Sequence, residues 1–88
     1  MAHFADRLAA LTEERQSRVV LGLDPDPAAL WPEALEAAGP DDSREATAAA
    51  VAHHCRAAIA AAGGACVAVK LQLACFERLG PPGWAALE

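Results

Sequence analysis

The sequence predicts an α/β fold, the amino-terminal portion of a (β/α)8 TIM barrel. Two short apolar runs, at 18–23 and 65–77, are typical of buried parallel strands. An alanine-rich segment with helical periodicity lies between them. A strand, a crossover helix and a second strand form a right-handed βαβ unit whose strands are parallel. Two parallel strands cannot cover both of their faces, and a whole barrel takes about 250 residues. We therefore expect residues 1–88 to be one incomplete barrel domain: a leading helix, two strands with their connecting helix, and the start of another helix.

Composition excludes several classes of protein. An apolar fraction of 55% is too high for a disordered chain, and no apolar stretch approaches the ~20 residues that span a bilayer. The first residues lack the basic and apolar regions of a secretory signal. A net charge of −5 argues against binding to a nucleic-acid polymer. The three cysteines share no Cys-x-x-Cys spacing, which favours reduced thiols in a cytoplasmic protein over disulfides or a zinc site.

The segment before the first strand predicts a packing helix at 4–16. Phe4, Leu8 and Leu11 form one apolar stripe at i, i+4 and i+7. The strand that follows contains Gly22, a residue that lets a ligand or another backbone approach closely. Proline after Asp24 ends this strand, so that Asp24 stands at its carboxyl end, where α/β folds place their chemistry. The alternative for Asp24 is a simple turn-forming role.

The connection between the strands predicts two helices. The first is a short helix at 27–35 with proline in its first turn. The second helix is capped by Asp42 at its start, and Gly63 is the residue expected directly after its end. Its apolar stripe comprises Val51, Cys55, Ala58, Ile59 and Ala62. The adjacent His53 and His54 do not predict a metal site, because consecutive side chains on a helix point about 100° apart.

Lys70 is the only lysine in the chain, and it lies at the centre of the most apolar run. Burying an ammonium there is costly unless a carboxylate or a phosphate meets it. A functional lysine and a lysine that extends from a strand end into water are both consistent with this position. In a parallel βαβ unit, Asp24 and Lys70 lie at the same edge of the sheet, where they can face one pocket. The turn at 80–83 and a helix beginning at Trp84 complete the chain.

Four short motifs in order resemble orotidine 5′-phosphate decarboxylase, most closely its longer-chain bacterial subfamily. They are Gly-Leu-Asp-Pro at 22–25, Val-Lys-Leu-Gln at 69–72, Ala-Cys-Phe-Glu at 74–77 and Gly-Pro-Pro-Gly at 80–83. That family has Gly-Leu/Ile-Asp-Pro, Val/Phe-Lys-Pro-Gln/Asn, Ala-Phe-Phe-Glu and Gly-x-x-Gly at the matching points. No single motif is specific, whereas four in this order are much more so, and the likeness extends over 4–88.

The resemblance implies a TIM barrel that decarboxylates orotidine 5′-monophosphate to UMP in pyrimidine biosynthesis. It implies a cytoplasmic homodimer with sites at the subunit interface. It also implies that no metal and no organic cofactor take part. Asp24 matches the aspartate that binds the ribosyl part of the substrate. Lys70 matches the first lysine of the charged catalytic network, which also contacts the ribose.

Two features depart from the family pattern. Leu71 stands where the family usually has proline, which leaves the backbone that aims Lys70 less constrained. The Asp-x-Lys-x-x-Asp motif, whose lysine protonates the product carbanion, would lie beyond Glu88, as would the phosphate-binding loops. We therefore expect residues 1–88 alone to be inactive and poorly folded.

Two other functions are consistent with the sequence. Lys70 is also suited to a Schiff-base lyase of the class I aldolase type, since burial lowers the pKa of a lysine and exposes its lone pair. The alanine-rich composition also fits a small helical interaction module without catalysis. The second alternative does not explain why the one lysine lies in the most apolar run.

Overall fold

A computed structural model describes residues 3–88 as a mixed α/β arrangement around one long helix. Its elements are α1 (Phe4–Arg15), β1 (Val20–Leu23), α2 (Pro32–Ala38), α3 (Arg44–Ala62), β2 (Ala68–Leu71), α4 (Ala74–Glu77) and α5 (Pro81–Ala86). A single 3-10 turn, Gly63–Ala65, connects α3 to β2. No helix within residues 3–88 is both long enough and apolar enough to cross a bilayer.

The two strands form a parallel sheet, as the βαβ pattern predicts. Val20 pairs with Ala68 and Leu23 pairs with Leu71 at the two ends of the ladder. The ladder continues on either side, because the amide of Val67 donates to the Val19 carbonyl and that of Gln72 donates to the Leu23 carbonyl. This register brings the carboxyl ends of both strands to one edge.

The core lies between α3 and the elements that pack on it. Alanine has the highest helix propensity and leaves neighbouring elements room to approach closely, so an alanine-rich α3 serves as the central packing surface. Val51 is completely buried at its centre, and Phe76 of α4 is 2% exposed. The buried cluster comprises Leu23, Leu30, Ala48, Ala50, Val51, Cys55, Ala58, Phe76 and Leu79. Ile59, predicted to share this stripe, is instead 41% exposed.

The leading helix α1 is attached by polar contacts at its carboxyl end. The Arg15 guanidinium donates to the carbonyls of Gly63 (2.9 Å) and Cys66, and the Ser17 hydroxyl donates to the Ala65 carbonyl at 2.6 Å. No residue of α1 is buried, and Phe4 is 65% exposed. The predicted helix is therefore correct, but the described residues cover its apolar stripe only in part, since Leu8 and Leu11 are half-buried and Phe4 is exposed.

Two predictions about the connection between the strands are wrong. The helix predicted at 27–35 begins later, at Pro32, because the Asp26 carboxylate accepts from the Ala28 amide (2.9 Å) and stabilises a turn. The cap of α3 is Ser43 rather than Asp42: the Ser43 hydroxyl accepts from the Ala46 amide at 3.1 Å.

The helix α3 ends at Ala62, directly before Gly63, as predicted, but the conformation of Gly63 and the end of the chain differ from the predictions. Gly63 has φ −59°, so it is not the left-handed residue expected after a helix, and the chain tightens into the 3-10 turn. The segment 80–83 is not merely a turn: α5 begins at Pro81, and only Gly80, with φ +68°, has the left-handed backbone of a turn glycine.

The prediction of a buried strand in the apolar run at 65–77 is correct for the presence of a strand and wrong for its burial and for the last residues of the run. Only Ala68–Leu71 form the strand, and Ala74–Glu77 form a helical turn. Within the strand, Val69 is 41% exposed and Leu71 is 37% exposed. Apolar composition predicted burial here, but the described chain supplies no element that fully covers β2.

Candidate functional site

The two residues singled out at the strand ends lie together in the structure. Asp24 directly follows β1, and Lys70 is the third residue of β2, paired with Gly22. The Lys70 Nζ and the Asp24 Oδ1 are 3.9 Å apart. The ammonium and the carboxylate therefore form one charged pair at the carboxyl edge of the sheet.

The pair belongs to the open face of the sheet. Leu21 and Leu23 pack into the core on the α3 side, and side chains alternate along a strand, so Gly22 and its partner Lys70 lie on the opposite face. A Cβ atom built at Gly22 would meet no atom within 4 Å, and Val20 on the same face is 52% exposed. This face is uncovered in the described part of the chain.

Lys70 is not buried in this structure, so its ammonium has no burial cost to offset. Its side chain is 60% exposed and that of Asp24 is 64% exposed. An ion pair so accessible to water stabilises a fold little, between 0 and about 1 kcal/mol. The pair is therefore poorly explained as a stabilising element, and both side chains are available to a ligand.

The turn that carries Asp24 is held by a residue that the sequence did not single out. The Arg78 guanidinium donates to the Pro25 carbonyl at 3.2 Å, across 53 positions of the chain. This contact connects the segment after α4 to the turn after β1. The sequence could not have predicted this contact. Arg78 bonds to a backbone carbonyl, and every residue has one, so no residue type marks the partner.

The adjacent histidines of α3 have separate environments. His54 accepts a hydrogen bond at Nδ1 from the backbone amide of Trp31 (3.0 Å), and the two rings meet edge to face with centroids 4.9 Å apart. His54 thus satisfies a free amide at the start of α2. His53 lines an open groove with Trp31 and Ala57. Among residues 3–88 there is no group of three or more His, Cys, Asp or Glu side chains that could hold a metal ion.

Two groups outside the charged pair have shifted pKa values. Burial raises the pKa of the Cys55 thiol, and the nearby Cys75 raises it further. Hydrogen bonds from the backbone and the hydroxyl of Ser43 lower the pKa of Asp41. All three cysteines are free thiols. These groups lie in the core and at a helix start, so they do not belong to the site at the sheet edge.

Comparisons with protein-family models, with curated proteins and with solved structures each find no match. A function for the chain therefore rests on its motifs and on the geometry at the end of the sheet. That geometry comprises an exposed ammonium, an exposed carboxylate 3.9 Å from it, and the bare backbone of Gly22 on one open face.

Proposed function

We propose that this chain forms the first two strands of an orotidine 5′-monophosphate decarboxylase, a TIM barrel that acts as a homodimer in the cytoplasm. In this proposal Asp24 binds the ribosyl part of the nucleotide. Lys70 contacts the ribose and belongs to the catalytic charge network. The observation that supports it most directly is the 3.9 Å Lys70–Asp24 pair at the carboxyl edge of two parallel strands.

The open face of the sheet is consistent with a barrel interior. In a (β/α)8 barrel, helices cover the outer face of the strands and the site lies at their carboxyl ends. Here α3 packs on the face that carries Leu21 and Leu23 at β1, whereas the face of Lys70 is free. Further strands would continue the sheet on either side and enclose that face.

The chemistry suits a fixed cation. Loss of CO₂ leaves negative charge on the pyrimidine ring, and a positioned ammonium stabilises that charge in a pocket from which water is excluded. Asp24 holds Lys70 on the ligand side of the sheet and accepts hydrogen bonds from ribose hydroxyls. The proton that replaces CO₂ needs a separate donor, since the 88 residues contain no second lysine and no Asp-x-Lys-x-x-Asp motif.

The test uses the whole protein that the gene encodes. We expect it to convert orotidine 5′-monophosphate to UMP, followed by the change in ultraviolet absorbance. Lys70→Ala should lower kcat/KM by about 100-fold or more. Arg56→Ala, which removes an exposed cation of α3, should leave it unchanged. Residues 1–88 alone should show no conversion.

Two results would contradict the proposal. One is a whole protein that neither converts the nucleotide nor binds UMP. The other is a Lys70→Ala variant as active as the wild type. The Schiff-base alternative is distinguished by borohydride trapping with a keto substrate, which should give no adduct.

A further inference from the structure

An open groove lies between the start of α2 and the middle of α3. Its volume is about 520 Å³, which is within the range of sites that hold a ligand or several side chains of a partner. The groove shares no residue with the charged pair at the sheet edge. It is lined by Trp31, Pro32, Glu33, Ala34, His53 and Ala57.

Trp31 is held in place on one side and is open to water on the other. Its amide donates to Nδ1 of His54 at 3.0 Å, and its ring meets the His54 ring edge to face with centroids 4.9 Å apart. Pro32 follows directly and fixes the first turn of α2. Trp31 nevertheless remains 43% exposed. A rigid, half-exposed tryptophan is typical of the anchor residues of binding surfaces, because little conformational entropy is lost when a partner covers it.

The segment that forms one wall of this groove carries the negative charge of the chain. Residues 24–43 contain six acidic side chains and no lysine, arginine or histidine, and all six acidic side chains are exposed. The other residues of the chain include six acidic and seven basic side chains, so their charges nearly cancel. Glu33 is the charged residue of the lining, and Arg56, which precedes Ala57 on α3, is not part of it. The charge around the groove therefore favours a cationic partner.

The lining combines two kinds of contact that suit an arginine side chain. A guanidinium stacks on an aromatic ring and pairs with a carboxylate, and Trp31 and Glu33 offer both within one groove. Pro32, Ala34 and Ala57 add apolar surface for a neighbouring aliphatic side chain. A small cation without apolar groups would leave that surface uncovered.

We propose that this groove is a docking surface for a segment of another protein that presents an arginine beside an aliphatic side chain. The arginine lies against Trp31 and pairs with Glu33, and the aliphatic side chain contacts Pro32 and Ala57. This inference goes beyond the proposed function and does not depend on it, since neither Asp24 nor Lys70 takes part.

The experiment measures the binding of two labelled peptides to the whole protein by fluorescence anisotropy. The peptides are Ala-Leu-Arg-Leu-Arg-Leu-Ala and Ala-Leu-Glu-Leu-Glu-Leu-Ala, which differ in charge and share their aliphatic residues. We expect the arginine peptide to bind about tenfold more tightly or better at about 0.1 M salt. The difference should shrink at about 1 M salt, where the screening length falls from about 10 Å to about 3 Å.

A charge reversal in the groove tests the site itself. Glu33→Lys should reverse the preference, so that the glutamate peptide binds more tightly than the arginine peptide. Glu14→Lys is the matched control, because it makes the same change of net charge at an exposed position of α1. It should leave the preference of the wild type in place.

Two substitutions of the tryptophan test the aromatic contact. Trp31→Ala should weaken binding of the arginine peptide about fivefold or more. Trp31→Phe keeps an aromatic ring beside His54 and should weaken it less, because phenylalanine attracts cations less strongly than tryptophan does. Circular dichroism of each variant shows whether the fold is kept, and the Glu33→Lys result tests the proposal even if Trp31→Ala does not fold.

Three results would overturn the inference. The first is equal binding of the two peptides to the wild type. The second is a Glu33→Lys variant with the same preference as Glu14→Lys, which would show that net charge rather than the groove selects the peptide. The third is displacement of the arginine peptide by spermine at the concentration at which the unlabelled peptide displaces it, which would assign the groove to a small polycation. None of these measurements depends on decarboxylase activity, so the two proposals can fail separately.

Discussion

Gly83→Ala should destabilise the fold even though alanine is the better helix former. Gly83 is buried in the first turns of α5, where the chain passes over the end of α4. An added Cβ atom would lie 1.9 Å from the Phe76 carbonyl oxygen, 2.8 Å from its carbon and 2.9 Å from the Leu79 Cβ. Real Cβ atoms essentially never approach other atoms within 3.0 Å, so α4 and α5 must separate.

The size of the effect follows from two opposing contributions. Phe76 is 2% exposed and Leu79 is 7% exposed, so the atoms that must move belong to the core rather than to a flexible surface side chain. Overpacking of a core costs about 3 kcal/mol at the upper end of the usual range, and alanine in a helix offsets at most about 1 kcal/mol. We therefore expect a net loss of about 2 kcal/mol in the free energy of unfolding.

Urea unfolding, followed by far-ultraviolet circular dichroism and by tryptophan fluorescence, measures this loss. In the whole protein, with an m value of about 2 kcal/mol per M, it corresponds to a decrease of about 1 M in the urea midpoint. Trp84 directly follows the substituted residue and reports on α5. Gly64→Ala, which meets nothing within 4 Å, should leave the midpoint within experimental error. A Gly83→Ala variant that unfolds at the wild-type midpoint or above would refute the close approach of α4 and α5.

Three further predictions concern a loop contact, a buried thiol and a helix cap. Arg78→Ala should lower the free energy of unfolding by about 1 kcal/mol because it removes the hydrogen bond to the Pro25 carbonyl, and urea unfolding should show a smaller loss for Arg78→Lys. The folded chain raises the pKa of Cys55 above its ordinary value of 9.0, so the stability that this thiol contributes is fully present below that pH and is lost as the pH rises through the folded pKa. Cys55→Ala should accordingly flatten the alkaline fall in unfolding free energy, and an unchanged slope would contradict the assignment. Ser43→Ala should cost about 1 kcal/mol on thermal unfolding, whereas an equal loss for Asp42→Ala would show that the cap is misassigned.

Several elements were predictable because local chemistry determines them. The amphipathic stripe of α1 and the alanine content of α3 specify helices from neighbouring residues alone. Proline after Asp24 ends β1, since proline cannot continue the ladder. The strand–helix–strand order then implies parallel pairing, and parallel pairing brings Asp24 and Lys70 to one edge.

Other properties depend on partners distant in the sequence. The sequence left the exposure of Lys70 open because an apolar run does not specify whether anything covers it, and the described chain leaves that face of β2 open. The need for glycine at position 83 depends on the approach of the Phe76 carbonyl, and the Asp24 turn is contacted by Arg78 from across the sequence. Thus the sequence by itself determined that α1 and α3 are helical, where β1 ends, and the parallel order of the strands. Tertiary structure alone decided which side chains water reaches and which glycines are required, because burial and close approach are set by residues that meet only when the chain folds.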